Sequence, residues 1–245
     1  MTTSADAAPD AVILLHGLGR SWLAMRPMEQ ALQAAGYRTV NRSYPSTRHP
    51  IARLARRAVG ERLAEVMAWS PAPPRIHFVT HSLGGVLVRW YAAHVGLPEG
   101  SRAVMIAPPH GGSEMADRVR RVWPVRQWTG PALLELGTDE ASVPRGLGPL
   151  RGFEAGVIAG TRPRHPFNRV FAGPNDGIVS VASVCVEGAA DTAEVPHGHT
   201  FIAARPDTIR QTLHFLQYGS FLSESALVAE TSATPVGAAR GTFFR

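Results

Sequence analysis

No lysine occurs in the 245 residues, so all 25 basic side chains are arginine. Such a skew is better explained by GC-rich coding than by a nucleic-acid surface. The arginine clusters at 53–57 and 118–126 read as solvated helix faces, and no nucleic-acid partner is expected despite the net charge of +6. A single cysteine, Cys185, excludes an intramolecular disulfide. Within "VASVCVEG" it reads as a small buried residue of a strand. No Cys/His spacing resembles a zinc site and no HExxH occurs, so no metal is expected. No apolar run approaches the length of a membrane span, and membrane association is not indicated. The opening "MTTSADAAPD" lacks the basic and hydrophobic regions of a signal peptide, which points to a cytoplasmic location.

What is present alternates between two periods. Residues 11–15 form a continuous apolar run, the signature of a strand buried on both faces. It ends in the glycine-rich "HGLGRS". A helix is expected over 22–35, a strand over 37–44, and an arginine-rich helix over 50–68 with Pro50 in its first turn. A strand follows at 75–80, a helix at 83–95 and a strand at 102–107. The stretch 108–153, rich in Gly and Pro, reads as irregular. Further strands are expected at 155–159 and 181–186, and a last helix at 206–218. This alternation predicts an α/β fold, a mostly parallel central sheet with helices on both faces. The expected organisation is a flexible N-terminus over 1–10, one domain over 11–220 and a disordered tail over 221–245, although Phe243 and Phe244 could dock.

The chemistry concentrates at "VTHSLGG", where a strand runs straight into a helix. A serine in such a turn is held out in a strained conformation, as in the G-x-S-x-G elbow. Here the frame is Thr80-His81-Ser82-Leu83-Gly84, making Ser82 the candidate nucleophile. Thr80 stands where the elbow has glycine, so a neighbouring strand should offer it a small side chain. The competing reading of Ser82 is a plain N-cap. After the first strand, "HGLG" would offer the backbone N–H of Leu18 to a developing oxyanion, and Leu83 would offer the second donor from a helix N-terminus. His16 would tie that loop. A phosphate loop is set aside, because "HGLG" lacks the G-K-[ST] ending. In "FAGPNDGIVS", Asp176 suits a triad acid, against the simpler reading of an Asp-Gly turn. "VPHGHTFI" offers two bases, His197 and His199. His199 is favoured because the apolar pair after it would anchor the loop, with His197 at the rim.

These motifs resemble those of the α/β-hydrolase superfamily, and of small bacterial lipase- and esterase-like hydrolases in particular. The resemblance runs through "HGLGR", "HSLGG", "APPHGGSEMAD", "GPALLELGTD", "NDGIVSV" and "HTFIA", and spans residues 12–218. It implies an α/β-hydrolase fold with a minimal cap or none, Ser82 as nucleophile, Asp176 as acid and His199, directly before threonine, as base. Thr80 and His110-Gly111 depart from the pattern. His16, His81, Trp123 and Trp128 are possible pocket-wall residues. The implied activity is hydrolysis of a small acyl ester through an acyl-enzyme intermediate, with no cofactor. The alternatives are an acyltransferase using the same triad and a non-catalytic binding protein on the same fold.

Overall fold

The computed structural model describes residues 8–163 and 171–223, without the side chains of 123–128. Six strands form one parallel sheet: β1 (Ala11–Leu15), β2 (Arg38–Asn41), β3 (Ile76–His81), β4 (Arg102–Ile106), β5 (Glu154–Gly160) and β6 (Asp191–Val195), in the order β2-β1-β3-β4-β5-β6. The inner strands are apolar because both faces are covered. Ile13, Leu15, Phe78 and Met105 point to one core, while Val12, Leu14, Val79 and Val104 point to the other. On the first face lie α2 (Ile51–Ala55) and α3 (Glu61–Met67), joined by a π-helical turn at Arg56–Gly60, together with α4 (Leu83–His94). On the second lie α1 (Arg26–Ala34) and α9 (Pro206–Tyr218). The β1–β3 and β3–β4 registers set Leu15 beside Thr80 and His81 beside Ile106. The ends of three neighbouring strands therefore open onto one rim, where open parallel sheets bind their ligands.

Three expectations need correction. The stretch 108–153 is not irregular: it holds α5 (Glu114–Val119), α6 (Trp123–Leu134) and α7 (Val143–Gly146). Its prolines and glycine misled the reading. Pro124 and Pro144 sit in first turns, where a missing N–H costs nothing, and Gly130, non-helical at φ 74° and ψ −176°, divides α6 into two helical pieces across a kink. The expected strand at 181–186 is instead the one-turn helix α8 (Val181–Val184), because Ser180 caps it by accepting the Ser183 N–H. Cys185 beyond it is exposed, not buried. The sixth strand is β6, whose "DTAEV" alternates half-exposed polar positions at the sheet edge and offers no apolar run.

After α9, the Phe221 ring meets the Phe215 ring at 4.9 Å in a tilted contact, its N–H donates to Asp191, and the Leu222 N–H donates to Gln211. Phe243 and Phe244 lie outside the described residues. Among the described residues no helix is long and apolar enough to cross a membrane, and no group of three or more His, Cys, Asp or Glu could hold a metal.

Candidate active site

Ser82 links β3 to α4 with φ 54° and ψ −119°, a backbone conformation that a non-glycine residue adopts only under constraint. The constraint is packing. A Cβ on Gly84 would sit 2.6 Å from the Leu15 carbonyl oxygen, so α4 lies against β1 only because that position is bare. The Ser82 N–H donates to the Ile106 carbonyl at 2.9 Å, tying the turn to β4. The room Thr80 needs comes from the helix and not, as expected, from a neighbouring strand. Its strand partners are the large Leu15 and Met105, whereas Gly85 leaves the space: a Cβ there would lie 3.3 Å from Thr80 Oγ1.

His199 begins a 3-10 turn (His199–Ala204) after β6. Its Nε2 lies 2.9 Å from Ser82 Oγ and its Nδ1 lies 2.6 Å from Asp176 Oδ2. The other carboxylate oxygen of Asp176 accepts the N–H groups of Ile178 and Val179 at 2.9 and 2.8 Å. The Asp176 carbonyl also accepts the His199 N–H at 3.0 Å, so side chain and backbone orient the imidazole together. Asp176 is 3% exposed, which removes water that would compete for its oxygens. Of the apolar pair after His199, only Ile202 is buried and anchors the loop; Phe201 is half exposed.

His197 is elsewhere. Its Nε2 contacts both carboxylate oxygens of Asp207 at 2.8 and 2.7 Å, pinning the loop to the start of α9. His81 lies against His199: its Nε2–H donates to the His199 carbonyl at 3.0 Å. Sequence reasoning missed two further supports. Ser113 Oγ donates to the Ile178 carbonyl and Ser180 Oγ donates to Glu114, so the "GSE" of "APPHGGSE" fastens the loop that carries Asp176. The signal was present in that motif as quoted, without a role attached to it.

Ser82 and His199 open onto a cavity of about 360 Å³ whose lining also includes Leu18 and His81. Its far wall is apolar, built by Met115, Ala116 and Val119 of α5, Leu133 and Leu136 in and just after α6, and Ile178. His16 is not among the lining residues, contrary to expectation. The side chains of Trp123 and Trp128 lie outside the described ones.

No protein-family model matches the chain, and neither does any curated protein. Solved structures do. A Bacillus licheniformis lipase, BlEst2, in its propeptide form superposes with a TM-score of 0.73 at 18% identity, covering 89% of this chain and 52% of that one. The mature form of the same lipase gives 0.65 at 18% identity, covering 87% and 92%. Phospholipase PlaB from Legionella pneumophila gives 0.65 at 20% identity, covering 92% and 63%. The chain thus spans about half the length of the propeptide-form lipase. It has the α/β-hydrolase fold.

Within this fold, the loop carrying Leu18 is held by a buried polar knot. His16 Nδ1–H donates to the Gly17 carbonyl at 2.8 Å, and its Nε2 accepts the Tyr44 N–H at 3.2 Å. The Tyr44 hydroxyl donates to the His16 carbonyl at 2.5 Å, and the two rings stack at 4.2 Å. Burial above all, with Arg62 and Arg20 nearby, lowers the His16 pKa to about 4, although its bond to Gly17 opposes the shift. Burial likewise pushes His81 and His110 well below the usual histidine range.

The unfolded chain takes up protons at these histidines below about pH 6.5, while the folded chain does not until near pH 4 at His16. Stability from this source is complete above pH 6.5 and is lost as the pH falls toward 4. His16 alone contributes about 3 kcal/mol over that window, and His81 and His110 add to it in the same direction. Denaturant titrations at pH 7.5 and pH 5 check this: the unfolding free energy should drop by at least about 2 kcal/mol. An unchanged value would mean that these rings are not held neutral.

Proposed function

We infer that this protein is a serine hydrolase that cleaves carboxylic esters through an acyl-enzyme intermediate. The observation that carries the reading is the unbroken hydrogen-bond chain Ser82–His199–Asp176 at the mouth of an apolar cavity. His199 Nε2 takes the proton from Ser82 Oγ as the oxygen attacks the ester carbonyl. Asp176 keeps the Nδ1 proton in place and stabilises the imidazolium. The oxyanion is met by the N–H of Leu83, one of the unsatisfied donors at the start of α4, and by that of Leu18 on the loop braced by His16. His199 then returns the proton to the leaving alcohol. Water, deprotonated by the same imidazole, releases the acid. The lipase, esterase and phospholipase names of the structural neighbours support this class of reaction.

The apolar wall of α5 and α6 suits an acyl chain, and a cavity of about 360 Å³ holds one of moderate length. Each additional buried methylene contributes about 0.8 kcal/mol, roughly a fourfold gain in kcat/KM, until the cavity is full. A series of p-nitrophenyl esters from acetate to palmitate should therefore rise to a maximum at medium chain length and then level or fall. A flat profile across the series would contradict the cavity's assignment as the acyl site.

A further inference from the structure

Arg20 is, among the described residues lining the cavity, the one with a permanent charge. It sits two residues past Leu18 on the "HGLGR" loop. Among the described residues its guanidinium makes no ion pair, and it lies 6.0 Å over the ring of Phe201. Arg20 and Thr200 also line a second, shallower depression of about 490 Å³ that runs past Ser21, Leu23 and Phe201. The two hollows thus meet at these two side chains. The first is apolar and suits an acyl chain. The second begins at the residue after His199, the group that must hand a proton to the departing oxygen. A leaving alcohol released beside His199 has this second hollow next to it, on the Arg20 side.

A cation left without a carboxylate at the start of a leaving-group groove attracts negative charge. The geometry points to Arg20 as a specificity-determining residue that selects acyl esters whose alcohol portion carries an anionic group, a phosphate or a carboxylate. This rests on the serine-hydrolase reading above and adds the chemistry of the leaving group to it. The guanidinium presents a planar fork of N–H donors that either anion can accept from, and the Phe201 ring beneath it limits its rotation.

The test uses the full chain and three octanoyl esters at monomeric concentration: monooctanoyl glycerol, its 3-phosphate, and the octanoyl ester of glyceric acid. The kcat/KM for an anionic ester should exceed that for the neutral one about fivefold, as befits a partly exposed ion pair. The ratio should shrink toward one in 0.5 M salt. Preference for the phosphate, the carboxylate or both identifies which anion is selected. Arg20→Gln should collapse the ratio to near one, and Arg20→Lys should keep part of it. Equal rates for all three esters with the wild type, or an Arg20→Gln loss that leaves the ratio intact, would overturn the inference. Labelling of Ser82 by a fluorophosphonate separates the two levels. Labelling and neutral-ester turnover without discrimination sink the role of Arg20 alone, whereas absence of both sinks the hydrolase reading and the inference with it.

Discussion

Replacing Ser82 by alanine is expected to lower ester turnover by roughly a million-fold, the loss that follows when a triad loses its nucleophile. His199 would then have no hydroxyl to deprotonate, and a water in the vacated space cannot form the acyl-enzyme. The substitution removes one oxygen and leaves the elbow in place. The turn is fixed by Gly84 against Leu15 and by the Ser82 N–H to the Ile106 carbonyl, neither of which involves the side chain. Circular dichroism and the melting temperature should therefore match the wild type within a few degrees. Turnover comparable to the wild type in a folded Ser82→Ala variant would contradict the mechanism.

The second large effect separates two histidines only two positions apart. His199→Ala should fall to about the level of Ser82→Ala, since base and nucleophile act as one unit and their losses do not add. His197→Ala should keep activity within a few-fold. It removes a contact with Asp207 that is partly exposed, with side-chain exposures of 24% and 19%, and such pairs contribute little. A steady-state assay of both variants on one ester checks the ranking. Full activity in His199→Ala with loss in His197→Ala would move the base to the other ring and leave the 2.9 Å contact with Ser82 without a purpose.

The inner half of the fold was legible because burial leaves a plain mark. β1 is covered on both faces and reads as an unbroken apolar run, β3 and β4 are mostly apolar and β-branched, and the helix α9 keeps its predicted bounds at Pro206 and Tyr218. The edge was not legible. β6 is half exposed and polar, so nothing in "DTAEV" outweighed the β-branched "VASVCVEG", whose helical turn depends on one serine cap. Proline in a first turn and proline in a loop look alike in a sequence, which hid α6 and α7. The three residues that the structure hydrogen-bonds together, Ser82, Asp176 and His199, each sit in a short motif bounded by glycine or threonine, which drew attention to them in the sequence. Their supports were less legible. Ser113 and Glu114 act across 65 and 66 residues of chain, a pairing that only the folded topology reveals. The space beside Thr80 comes from Gly85, which the elbow frame does not include.

The most direct measurement is mass spectrometry of the protein after reaction with a fluorophosphonate. The account predicts one phosphonyl group per chain, carried on the tryptic peptide of residues 76–89, in which Ser82 is the single serine. Labelling should disappear in Ser82→Ala and become very slow in His199→Ala, because the reagent needs the same activated oxygen as an ester does. A protein that hydrolyses esters yet takes up no phosphonyl group on that peptide would contradict the account.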